Sequence, residues 1–290
     1  MNSILVTGFF RTGSTLIFSA LRKCEELQVF YEPYHPDIID YVRSCQNGLQ
    51  NADRERLGHT VDGDYFEEYR KVDINEMDEV FNKKKRTIHH PVLNEFSVKS
   101  DLYNYVTYLH EHARKSNKIP VLQANRLNFC LSWFKANFKS NYNILITRNS
   151  RDIFFSLKKL ASKDGISLWA ETEIIDYWNV LSIFNSLKAR YSFIKEIQRG
   201  YYYKLCFIIE WINRIESNKA DLVIPYEYLD RDRVQKSLYK SLNIFSNEAH
   251  TVGDFILNNY SYIKNNEEFS RLKDIEDIVS QQIDYIQGNF

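Results

Sequence analysis

Gly8 and Gly13 stand in the stretch LVTGFFRTGSTL, residues 5–16, and share the spacing of a G-x-x-x-x-G phosphate loop that closes on Thr15. The lysine of that motif is absent. Ser14 takes its place, and Arg11 stands inside the loop instead. A glycine turn that enters a helix aims backbone N–H groups at an anion, and the helix N-terminus adds about half a positive charge. The Arg11 guanidinium adds a planar fork suited to phosphate or sulfate oxygens. Far along the chain, NILITRNSRDIFFSLKK carries a second arginine and hydroxyl, Arg148 and Ser156, at the start of another helix. Each half alone is also an ordinary capping pattern. Together they suit a nucleotide with phosphates at both ends of its ribose. Magnesium–ATP chemistry fits poorly, because it needs the missing lysine and a strand-end Asp, and the strands ending at Gln123, Thr147 and Pro225 offer none.

Such residues need rigid elements to aim them. SILVT, residues 3–7, is a short β-branched run that stops at Gly8, and STLIFSALRKC then repeats apolar residues at helical spacing. LQVFYEP reads as a second strand ending at Glu32-Pro33, IPVLQANRL as a third, NYNILITRN as a fourth and ADLVIPYEYL as a fifth. Residues 37–57 read as a polar helix, LSWFKANF as a short one, and a helix opens at Ser100 or Asp101. Ser150 is the expected cap of RDIFFSLKKL. The charged stretch 58–95 reads as surface or lid, the aromatic stretch 166–217 as a long helical insertion, and the chain beyond about 231 as mostly helical.

Alternating strands and helices, with strands too uniformly apolar to face water, predict one α/β domain over 1–290. Its central parallel sheet is of the P-loop type, with helices on both faces and a helical lid or insertion at 58–95 and 166–217. In open sheets of this kind ligands gather at the carboxyl ends of the strands, where Arg11 and Arg148 both fall.

Lysine plus arginine equals aspartate plus glutamate at 38 each, which argues against a broad nucleic-acid surface. No run approaches the roughly 18 apolar residues of a membrane span. SILVTGFF lacks the basic flank of a signal peptide, so the expected location is the cytoplasm, and scattered Cys24, Cys45, Cys130 and Cys206 read as free thiols. The richness in Asn, Lys, Ile and Tyr points to an AT-rich, bacterial genome. His89-His90 and the pair His110 and His112 lack metal-ligand spacing.

Four segments in order resemble the sulfotransferases that use 3′-phosphoadenosine-5′-phosphosulfate (PAPS), over residues 3 to about 245. FFRTGSTL is similar to their 5′-phosphosulfate loop, [KR]-[ST]-G-[ST]-[ST]. TRNSRDIFFS is similar to their 3′-phosphate segment, R-[DN]-P-[RK]-D-x3-S, with Ser150 in place of the proline. VFYEPYHP resembles the F-Y-x-x-E-P-L segment of carbohydrate sulfotransferases, and LVIPYEYL, which carries Tyr226, resembles their V-x-Y-E-D-L strand. YSYIKNNEEF resembles a loop that closes over the nucleotide, with Lys264 as its contact.

The resemblance implies in-line transfer of a sulfuryl group from PAPS to an acceptor hydroxyl or amine, without a metal. Arg11 and the amides of Thr12, Gly13, Ser14 and Thr15 would hold the phosphosulfate, and Arg148 and Ser156 the 3′-phosphate. An attacking hydroxyl must lose a proton. The family places a catalytic glutamate where Glu32 stands; His35 is the second candidate base, and it and Tyr34 are candidate acceptor contacts. The expected acceptor is a saccharide, glycolipid or other small molecule. Two other readings stand beside this one: a P-loop kinase acting on a small metabolite, and a PAPS-fold binding protein without catalysis.

Overall fold

Five short apolar runs become the strands β1 (Ser3–Gly8), β2 (Leu27–Tyr31), β3 (Ile119–Gln123), β4 (Asn141–Thr147) and β5 (Leu222–Pro225). The computed structural model describes residues 3–48, 65–81, 100–168, 176–228 and 266–288. All strand pairs are parallel, in the order β2-β3-β1-β4-β5, with Ile4 beside Val121, Val6 beside Ile144 and Ile146 beside Ile224. β1 lies in the middle and is buried at every position. That explains its unbroken apolar run: a central parallel strand has no solvent face.

Along the chain the helices are α1 (Ser14–Leu21), α2 (Ile38–Gln46), α3 (Ile74–Val80), α4 (Ser100–Lys115), α5 (Leu131–Asn137), α6 (Ser150–Lys163), α7 (Val180–Arg190), α8 (Tyr201–Trp211) and α9 (Asn266–Gln287). The path from β1 to β2 runs one way across the sheet, and the path from β4 to β5 runs the other. The loops leaving β1 and β4 therefore diverge, although the two strands are neighbours. Such a switch point is where open α/β sheets bind ligands.

Several local expectations change. The polar helix expected over 37–57 is α2, which stops at Gln46 and turns through Asn47 and Gly48. Asn149, not Ser150, caps α6: its side chain accepts from the Arg151 amide at 2.8 Å. Ser150 is instead the first helical residue and is buried beside Tyr202 and Cys206. In 58–95, the described part buries one side, with Tyr65, Phe66, Tyr69, Val72, Met77 and Phe81 in the core, while Glu67, Arg70, Lys71, Asp73 and Glu76 are exposed.

In the stretch 166–217, Trp178 packs on Phe10 of the loop after β1, with ring centres 4.5 Å apart. α8 is buried along nearly its whole length and packs against α6, α7 and α9, so its aromatic residues are core. The four cysteines are buried free thiols. Among the described residues no helix is long and apolar enough to cross a membrane.

α9 is fixed to α8 through polar contacts that reach the start of α6. Glu276 accepts from Tyr202 Oη at 2.6 Å and from Arg151 Nε at 2.9 Å, while Tyr203 Oη donates to Gln282 at 2.8 Å. Arg151, part of the motif that holds Arg148, thus serves the fold. Glu276→Ala removes the carboxylate that the Arg151 cation and the Tyr202 hydroxyl share, and is expected to cost about 1–3 kcal/mol. The urea midpoint measures this; an unchanged midpoint would contradict the assigned contacts.

Candidate active site

The loop after β1 folds tightly because Gly8 allows it. A Cβ built there would lie 2.6 Å from Thr12 Oγ1 and 2.7 Å from the Ile146 carbonyl oxygen on β4. Thr12 Oγ1 donates to the Phe9 carbonyl at 2.6 Å, so that hydroxyl closes the turn. Gly13, at φ 86°, then starts α1 in the left-handed conformation that glycine adopts at no steric cost. No side chain caps the first turn of α1, and no acidic residue stands in it. Its N-terminus therefore keeps its full attraction for an anion.

The two anion-binding candidates read from the sequence meet in space. Arg148, just past β4, donates from Nη1 to the Arg11 carbonyl at 2.6 Å. Arg11 Nε donates to Ser156 Oγ on α6 at 2.8 Å. The Arg148 guanidinium lies 4.1 Å from the centre of the Tyr226 ring, just past β5, a cation–π contact. Its buried Nε takes no acceptor among the described residues. Burial and the Arg148 charge both lower the Arg11 pKa. Two guanidiniums this close repel each other, and an anion between them relieves that repulsion.

Arg11 and Glu32 also share an unusual backbone. Both have positive φ, 66° and 40°, which among the described non-glycine residues is otherwise found at Asn117, Trp178 and Asn179. Holding a non-glycine residue there costs on the order of 1–3 kcal/mol, and such strain clusters where a side chain must be aimed.

Glu32 follows β2 and is 6% exposed. Its Oε1 accepts from the Asn125 amide and its Oε2 from Arg126 Nη1, each at 3.3 Å. Burial pushes its carboxyl above the ordinary range, against the pull of Arg126 and the Asn125 amide. The Arg126 guanidinium in turn lies 5.3 Å from the centre of the Phe10 ring, next to Arg11 in the loop. A continuous path thus joins the carboxylate to the anion loop. Tyr31 completes it, since its hydroxyl shares a hydrogen bond with the Thr15 side chain.

Tyr34 and His35 pack against other rings. The Tyr34 ring packs edge-on to Phe81 at 5.8 Å, and burial pushes its hydroxyl up to about 12. The His35 ring lies 5.0 Å from Tyr41 on α2, and its Nδ1 accepts from the Asp37 amide at 3.2 Å. Lys264, His89 and His90 lie outside the described residues. His110 is buried near Phe138, and its burial brings its pKa down to about 4. Among the described residues no group of three or more His, Cys, Asp or Glu is placed to hold a metal ion.

Arg126, Gln123 and Asn125 are the site residues that the sequence reading passes over. Their signal is the polar run QANR at the carboxyl end of an apolar strand, a place where ligands gather. No family model, no curated protein and no solved structure matches the chain.

Proposed function

We propose that this chain is a PAPS-dependent sulfotransferase that transfers a sulfuryl group to an acceptor hydroxyl, with a saccharide or glycolipid as the acceptor class. The observation that carries the reading is the meeting of Arg11, Arg148 and Ser156 at the divergent ends of β1 and β4. The residues fit the donor. The N-terminus of α1 carries no side-chain cap and no acidic residue, and Arg148 keeps a buried N–H to give. PAPS supplies the sulfuryl group and a good leaving group, 3′,5′-ADP.

In this reading the loop is of the P-loop type, adapted to a donor with no γ-phosphate. Arg11 and the amides of residues 12–15 hold the 5′-phosphosulfate and stabilise the charge that grows on the leaving phosphate. Arg148 and Ser156 hold the 3′-phosphate, with Tyr226 fixing the plane of the Arg148 guanidinium. Glu32 takes the acceptor proton. Its raised proton affinity makes the ionised carboxylate a stronger base. Positioning accounts for much of the remaining rate.

The first test is ligand-dependent melting. 3′,5′-ADP is expected to raise the melting temperature in the absence of metal, with about 2.7 kcal/mol of stabilisation at a hundredfold excess over Kd. Stabilisation by ATP–Mg²⁺ alone would replace this reading with that of a kinase. Transfer of labelled sulfate from PAPS to a panel of glycans then identifies the acceptor.

A further inference from the structure

The Glu32–Arg126 pair belongs to neither half of the anion site, yet it is the most enclosed ion pair near it. The two side chains are 8% and 9% exposed, respectively. We infer that Arg126 is a positioning residue that holds the Glu32 carboxylate ionised and in a fixed orientation beside the Arg11 loop. This role in the reaction rests on the sulfotransferase reading; the pairing itself does not.

Three observations carry it. First, both oxygens of Glu32 are held from a single turn, Oε1 by the Asn125 amide and Oε2 by Arg126 Nη1. That turn follows β3, the strand paired with β2, so the grip is set by the sheet register, in which Tyr31 lies opposite Gln123. Second, the Arg126 guanidinium is shared between Glu32 and the Phe10 ring, so it spaces the carboxylate from the loop. Third, Arg126 Nε is buried and takes no hydrogen-bond acceptor among the described residues. Among the described residues Glu32 is the carboxylate paired with this buried guanidinium, and a buried charge needs its partner.

The groups facing Glu32 from the surrounding elements are few. Arg126 faces it from the turn after β3, together with the Asn125 amide and the Gln123 side chain. Tyr31 precedes it on β2, and Tyr69 faces it from the 3-10 turn Glu67–Tyr69. Burial raises the proton affinity of both tyrosines, so neither is charged near neutral pH. Arg126 therefore offsets the burial of Glu32 with a full positive charge.

The test follows the carboxyl group directly. In protein labelled with ¹³C at glutamate carboxyls, the Glu32 signal is assigned by its loss in Glu32→Gln and titrated in wild type, Arg126→Gln and Arg126→Lys. Arg126→Gln is expected to move the Glu32 midpoint up by about 1 to 3 pH units, with a smaller move in Arg126→Lys. An unmoved midpoint in folded Arg126→Gln would overturn the inference. So would a protonated Glu32 at neutral pH in the wild type, a measurement that needs no Arg126 variant to fold.

If transfer from PAPS is detected, its acid limb should rise with the same midpoint in Arg126→Gln and the rate should recover at high pH. A merely structural role would lower the rate at every pH and leave the limb in place. Absence of transfer with a shifted midpoint would remove the sulfotransferase reading and leave the pair intact.

Discussion

Glu32→Gln is expected to lower kcat for sulfuryl transfer by about 10²- to 10⁴-fold, the usual contribution of a positioned general base. The substitution keeps the shape and one hydrogen-bond acceptor for the Asn125 amide, but it removes both the proton acceptor and the charge opposite Arg126, so a urea midpoint first establishes that the variant folds. 3′,5′-ADP affinity should stay close to that of wild type, because the contacts proposed for it come from the Arg11 loop, Arg148 and Ser156. The change therefore falls in kcat and spares donor binding.

The pH dependence has a definite sign. As the proposed base, Glu32 would act only when ionised, and burial holds its carboxyl above the ordinary carboxylate range. The rate should therefore fall as pH drops through a midpoint higher than that of an exposed glutamate. Transfer that persists at the wild-type rate in Glu32→Gln would remove this residue from the mechanism and turn attention to His35, on the same turn.

Gly8→Ala carries the second large effect, and it acts through sterics alone. The added methyl would sit 2.7 Å from a backbone oxygen of β4 and 2.6 Å from Thr12 Oγ1. The hydroxyl can rotate away; the Ile146 carbonyl cannot, because β4 is locked between β1 and β5. Strand β1 must then move off β4 at the point where Arg148 reaches the Arg11 carbonyl.

The expected cost is about 1–3 kcal/mol, the range for overpacking a close contact, together with weakened 3′,5′-ADP binding. Gly288→Ala is the matched control, since its nearest neighbour would be the Asp284 carbonyl oxygen at an ordinary 3.5 Å. Urea midpoints for both variants, with isothermal titration of 3′,5′-ADP, check the difference. Equal midpoints would mean that the loop is not held as tightly as its geometry indicates.

Much of the scaffold was legible in the residues. The five strands, the glycine turn and the helix that follows it are local patterns, each written within a dozen residues. The fold class followed from them, because unbroken apolar strands between helices have few other solutions. Which side of a segment is buried depends on distant partners. The segment around Tyr65–Phe81 keeps its charged residues at the surface, while its aromatic residues pack into the core beside β2 and α4. Ser150 looked like the cap of α6, but the cap is decided by which residue leaves the helical backbone first, and that is Asn149.

The sequence by itself determined the chemical types: two arginines with hydroxyl partners, a glycine turn, and a glutamate just past a strand. Only the tertiary structure decided how they combine. Arg11 and Ser156 are 145 residues apart and Glu32 and Arg126 are 94 apart, so nothing local joins them. Their meeting depends on strand order. β4 lies next to β1, which brings Arg148 and Ser156 to Arg11, and β3 lies next to β2, which brings Arg126 to Glu32. A strand's own residues specify that it is a buried strand, but its neighbours are selected by the packing of the whole sheet.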